Sequence, residues 1–209
     1  REITPTRSAY LELREEREGM EEGYRFLDEK RLVLAAEMIE ELQRYEAALG
    51  RFRVAYGQAV RSLHAAVARH GLGGVEIYPP ARPPAAEPRE DRRSVLGLAL
   101  TELRLDAGPV AADGEAPAPS PEAERCRELF ARLLPMTLSL AAMAGNLERL
   151  RAEYERTARR ARALEDVLLP EIDEALARVD TALEELDKEE AIRVRHSRPE
   201  GGIDELADA

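Results

Sequence analysis

The chain has 209 residues, 35% charged, 44% hydrophobic and only 4% aromatic, with no Trp, three Phe and six Tyr. Apolar content with so few bulky rings disfavours a single compact enzyme core and points to helix rich in Ala and Leu. A formal net charge of -11, from 31 basic and 42 acidic residues, argues against a nucleic-acid binder, which must neutralise phosphates.

Chain order begins with Arg1-Glu2-Ile3-Thr4-Pro5, which has neither the apolar core of a signal peptide nor an initiator Met, so processing or trimming is expected. From Arg7 to His70 there is no Pro, and the spacing predicts one long helix over 1–70. Thr6 or Ser8 is its expected cap, and Gly71 its stop after Arg69 and His70. An apolar stripe runs Met20, Tyr24, Leu27, Arg31, Leu34, Met38, Leu42, Tyr45, Leu49, Phe52, Tyr56, Val60, Leu63, Val67, about 3.6 residues per step, one face of an α-helix.

Residues 71–121 hold nine of the thirteen Pro and six of the thirteen Gly, an irregular middle segment by their breaking power. Tyr78 to Glu87 and Ala107 to Pro121 read as extended. Between them, 94–105 alternates apolar with small or polar residues and predicts a strand or short hairpin. Ser120-Pro121-Glu122 then opens a second long helix over 122–196, followed by a flexible tail over 197–209. Its stripe, from Cys126 through Leu133, Leu150, Ala161, Leu164 and Leu168 to Leu186, steps at about 3.5 residues, the spacing of a coiled-coil seam. Pro135 and Pro170 each remove a backbone donor inside it and should bend it. A long helix with one apolar stripe needs a partner; the simplest is the other helix of the same chain. The expected fold is therefore all-α, a long antiparallel two-helix coiled coil with a middle segment holding a short hairpin.

Signals for bond chemistry are weak. Gly71-Leu72-Gly73-Gly74 lacks the Lys-Ser/Thr of a phosphate loop and follows a helix instead of preceding one. His64, His70 and His196 lack metal-ligand spacing, and Cys126, the only Cys, sits on the seam as a small core residue and fits a reducing compartment. No catalytic, cofactor or metal site is expected. Nowhere are there about 18 consecutive apolar residues, so no membrane span is expected. Charge comes in blocks: Arg51, Arg53, Arg61 and Arg69 without an acid in 51–70, six Arg against two Glu in 149–162, eleven acids against two bases in 165–190. Such blocks suit docking against charged partners better than a uniformly solvated helix does.

Local motifs carry a resemblance. Pro5-Thr6-Arg7 with Leu11 and Leu13, then Gly23-Tyr24-x-x-Leu27-x-Glu29-Lys30-Arg31, then Val95-Leu96-Gly97-Leu98, and finally Thr157-Ala158-Arg159-Arg160-Ala161-Arg162-Ala163-Leu164-Glu165-x-x-x-Leu169-Pro170 resemble, in the same order, the D subunit family of the V-type (vacuolar and archaeal-type) rotary ATPases. Leu32 stands where the family has Asp, and Arg162 where it has Asn.

The resemblance implies a central-stalk rotor shaft without catalysis of its own, which couples ATP synthesis or hydrolysis to proton or sodium translocation. It implies as partners the nucleotide-binding ring subunits, a small second stalk subunit and an adaptor on the membrane rotor ring, with no nucleic acid. The location it implies is the cytoplasmic face of a membrane, as a peripheral part of a membrane-bound complex. Interface positions carried over are Arg7, Gly23, Lys30, Arg31, Arg159, Arg160, Leu164, Glu165 and Pro170. A generic coiled-coil tether or chaperone-like scaffold is the alternative. It explains the stripes but not the order of the motifs.

Overall fold

A computed structural model describes residues 4–80, 87–105, 115–116 and 118–197. The expected tail lies almost wholly outside them, as do 81–86, 107–114 and 117 of the stretches expected to be extended. The elements are α1 (Arg7–Glu76), β1 (Arg89–Val95), β2 (Leu98–Arg104), α2 (Pro121–Ala163), a π-helical turn (Leu164–Leu168) and α3 (Leu169–Ser197). The fold is thus helical, with a long N-terminal helix, a long C-terminal helical run and one small antiparallel sheet between them.

Local chemistry accounts for the ends. The Ala9 amide donates to Thr6 Oγ1 at 3.1 Å, so Thr6 caps α1 and satisfies one of its unpaired amides. At the far end Gly71 adopts φ 71° and ψ 169°, a conformation that suits glycine. The chain breaks helical geometry there and resumes for one more turn before Ile77. Ser120 caps α2 through the Ala123 amide at 3.2 Å, with Pro121 at the first helical position, where its missing N–H leaves no bond unmade.

Pro135 sits within α2, whereas the run changes form just ahead of Pro170. At Leu164–Leu168 the winding loosens, and the Leu169 amide bonds the Leu164 carbonyl five residues back. A proline ring presses on the carbonyl four residues before it, here that of Asp166. A wider turn relieves that pressure and is the usual form of a π insertion in an α-helix.

Two compact units make up the chain, Lys30–Arg156 and the pair Arg1–Glu29 with Thr157–Ala209. In the second, helices pair antiparallel through Arg7 to Asp187 at 3.4 Å and Arg17 to Asp173 at 2.6 Å, with Ala161, Ile172, Ala175 and Val179 buried. In the first, Lys30 meets Glu153 at 2.7 Å and Arg69 meets Glu122 at 3.5 Å, again antiparallel. Its core is Leu34, Leu100 and Leu150, all fully buried, with Met38, Val95, Leu98 and Tyr154 packed against them. The hairpin therefore contributes a core leucine between the two helices.

The seam of α1 differs in phase from the expected stripe. Buried positions are Leu34, Glu41, Ala48, Ala59 and Ala66, while Leu42 and Tyr56 are exposed. The stripe follows large side chains; the helices approach where side chains are small, one position earlier along much of α1. In the C-terminal run Cys126, Leu133, Leu150, Ala161, Ile172 and Val179 of the stripe are buried, whereas Leu168 in the π turn and Leu186 are exposed.

Candidate functional site

The densest polar geometry in the Lys30–Arg156 unit lies where the hairpin meets the helices. Arg92 of β1 pairs with Thr101 of β2 in the sheet register, and the Thr101 amide and carbonyl both bond a side chain of α2. The amide donates to Asn146 Oδ1 at 2.9 Å, and Asn146 Nδ2 donates back to the Thr101 carbonyl at 2.9 Å. Asn146 thus takes the place of a strand residue along the free edge of β2. Its second Nδ2 hydrogen goes to Glu41 Oε1 at 2.8 Å, and Arg149 donates to Oδ1 at 2.7 Å. Both donors and both lone pairs of the amide are used, so burial, with 2% exposure, leaves no orphaned polar atom on it.

The second half of this clasp is ionic. Glu41, also 2% exposed, faces Arg44 at 3.2 Å and Arg93 at 3.6 Å. Glu37 accepts from Arg93 of β1 and from Arg44 at 3.1 Å. The hydrogen bond from Arg93 holds the Glu37 carboxyl below its ordinary range, against the opposing effect of burial. α1, both strands and α2 are so tied by one network. Charged-group hydrogen bonds of this kind are roughly twice as strong as neutral ones.

A second polar cluster closes the same unit where α1 ends and α2 begins. His70 Nε2 and Ser120 Oγ are 2.6 Å apart, the Tyr78 hydroxyl donates to Glu124 at 2.8 Å, and Arg127 pairs with Glu124. Burial, and then the bond to Glu124, raises the Tyr78 phenol above its ordinary value.

The interface positions expected from the sequence fall in several places. Arg7 bonds Asp187. Gly23 faces the π turn: a Cβ there would lie 3.8 Å from Leu164 Cδ1, ordinary contact and not a clash. Lys30 is paired with Glu153, both side chains largely buried, and Arg31 is half-buried. Arg159 and Arg160 are exposed near the end of α2, Glu165 is exposed in the π turn, and Pro170 is exposed in the first turn of α3. Of these positions Gly23 and Leu164 come together, and Arg159, Arg160, Glu165 and Pro170 cluster along the chain around the π turn.

Glu37, Glu41, Arg93, Thr101, Asn146 and Arg149 were not among the expected positions. Two had a legible signal: Glu41 lies seven residues from Leu34, and Asn146 lies four from both Ala142 and Leu150, polar residues inside a seam.

Residues 9–198 match the family of the ATP synthase D subunit. The V-type ATP synthase D subunit of Anaeromyxobacter sp. (strain K) is 31% identical over 206 residues, covering 92% of this chain and 94% of that protein. The V-type ATP synthase D subunit of Thermotoga neapolitana is 24% identical, covering 92% and 95%. The A-type ATP synthase D subunit of Methanoregula boonei is 26% identical, covering 96% and 98%. With a match over almost its whole length, and with paired long helices holding a small hairpin, the chain belongs to the ATP synthase D subunit family.

Proposed function

We propose that the chain is the central-stalk shaft of a V-type rotary ATPase/ATP synthase, linking ATP synthesis or hydrolysis in a nucleotide-binding ring to proton or sodium translocation. The observation that carries this is the near full-length family match on a chain whose two long helical runs pair antiparallel. The shaft makes and breaks no covalent bonds. It acts as an asymmetric body whose contacts favour different conformations of successive ring subunits, a coupling carried by differential contact energy.

Its partners in this reading are the ring subunits, a small second stalk subunit and an adaptor on the membrane rotor ring, at the cytoplasmic face. No described helix is long and apolar enough to cross a membrane, in keeping with a peripheral place in a membrane-bound complex. The second stalk subunit is supported by an outward strip on α1. Leu32, Val33, Ala36 and Ile39 are at the surface, on the face away from Leu34 at about 100° per residue. Leu32, one of the two departures from the family pattern, lies in this strip.

Reconstitution tests the proposal. ATPase complexes lacking their own shaft, supplied with this chain and placed in lipid vesicles, should regain ATP-driven ion uptake. Hydrolysis without uptake, or no assembly with the ring subunits, would overturn it and favour a generic coiled-coil tether.

A further inference from the structure

The seam between the helices of the Lys30–Arg156 unit is rich in small residues. α1 buries Ala48, Ala59 and Ala66, and α2 buries Ala123, Cys126 and Ala142. A methyl-sized knob fits the hole one turn away about as well as its own, so such a seam lets helices come close but fixes their axial register weakly. Among the described residues of these two helices, Leu34 and Leu150 are the large apolar side chains with no exposure.

Two polar crossings interrupt the seam. Lys30 lies one turn before Leu34 and Glu153 one turn after Leu150, so both stand in line with the buried positions. Lys30 Nζ meets Glu153 Oε1 at 2.7 Å, with the side chains only 17% and 16% exposed. Arg156 donates to the second oxygen, Glu153 Oε2, at 3.1 Å. Farther along α1, buried Glu41 accepts from buried Asn146 at 2.8 Å.

An ion pair so far from water contributes little net stability, because desolvation offsets attraction, whereas loss of one partner is costly. The best-attested use of a polar residue within a helix seam is to select register. The residues flanking Glu153 sharpen that selection. A slip of one turn, about 5.4 Å, moves Lys30 from Glu153 to Leu150 and Arg149, or else to Arg156. Either move exchanges an attraction for apolar surface or like charge. The same slip takes Glu41 away from the Asn146 amide.

We infer that the Lys30–Glu153 and Glu41–Asn146 crossings set the axial register of the helix pair in this unit, while the alanines set its closeness. The four are positioning residues: they keep the surfaces carried by α1 in step with those carried by α2. The inference goes beyond the shaft reading and concerns the chain alone.

Pulsed electron paramagnetic resonance on the full chain tests it. Nitroxide labels are placed at Gln58→Cys and Glu148→Cys, both exposed sites, in a Cys126→Ala background. The labelled chain with its crossings intact should give one narrow distance. Lys30→Met, Glu41→Ala, Glu153→Leu makes the three seam positions apolar. This triple variant should stay helical by circular dichroism and add a second distance displaced by about 5 Å, one helical turn. Lys30→Glu with Glu153→Lys exchanges the partners and should give the single distance of the intact chain. Lys30→Met alone should lower the thermal midpoint by about 5 °C or more, and adding Glu153→Leu should recover most of that loss. A single unshifted distance in the triple variant would overturn the inference. So would loss of its helices, since the crossings would then hold the fold and not select among registers, and so would two distances in the exchanged pair. These measurements need no other subunit, so their failure leaves the shaft reading standing, and a wild-type chain that supports no ion uptake leaves the register inference standing.

Discussion

Asn146 is the residue on which most of the hairpin's polar bonding converges. Asn146→Asp keeps the shape of the side chain but removes both Nδ2 donors and sets a second carboxylate against buried Glu41. Losing one partner of a buried hydrogen bond costs about 1–3 kcal/mol, and an uncompensated buried charge costs more. Denaturant unfolding should therefore show Asn146→Asp destabilised by about 3 kcal/mol, with Asn146→Ser intermediate; equal stability of the three chains would show the clasp to be energetically idle. Glu37 gives the network a pH signature. Because Arg93 holds its folded-state pKa below the ordinary range, the pair stabilises the chain above that range and the contribution is lost as pH falls through the folded value. Stability measured across mildly to strongly acid pH should fall less steeply in Glu37→Gln than in the wild type.

At the scale of elements, the helices were legible because their signals are local. Thr6, Gly71, Ser120 and Pro121 act through bonds within a turn of themselves, and the 3.6-residue period is a property of the backbone. The alternation across 94–105 likewise located β2 and the turn before it, whereas 89–93 of β1, all charged, carried no such alternation. The π turn was not legible as such. Pro170 announces a disturbance, but whether a helix bends, breaks or widens depends on what its neighbours allow. Pro170→Ala restores an N–H able to bond the Asp166 carbonyl, and alanine is better than proline within a helix by about 3 kcal/mol. The turn should then close to α geometry, with slower amide hydrogen exchange at 165–171 and a higher thermal midpoint. Unchanged exchange would mean that packing, and not the proline, imposes the wider turn.

For the whole molecule, the proposed shaft role can be tested at the exposed arginines before the π turn. Arg159 and Arg160 are exposed, and substitutions at such positions usually change stability by no more than about 0.5 kcal/mol. If the motif that carries them serves the rotor, the Arg159→Ala, Arg160→Ala double variant should keep its helical circular dichroism and thermal midpoint. Its assembled complex should nonetheless lose a large part of ATP-driven ion uptake. Full uptake would leave the two arginines as solvated surface. The blocks of like charge are in part internally paired, as Arg151 with Glu155, Arg156 with Glu153 and Lys188 with Glu184 show. Exposed pairs of this kind contribute little to stability.

By itself the sequence determined the predominantly helical character, the caps at Thr6 and Ser120, the presence of a strand in the middle segment and the family, because each rests on spacing along the chain or on motifs in order. Tertiary structure alone decided which face of α1 is buried, since Ala48, Ala59 and Ala66 let helices approach where a stripe of large residues does not. It also decided that Glu41 and Asn146 are joined: they are 105 positions apart, and a buried carboxylate and amide become compatible only when folding brings the donors of one to the acceptors of the other. The same holds for Leu96, whose type was visible in the chain but whose left-handed backbone appears only once β1 and β2 close on a two-residue turn.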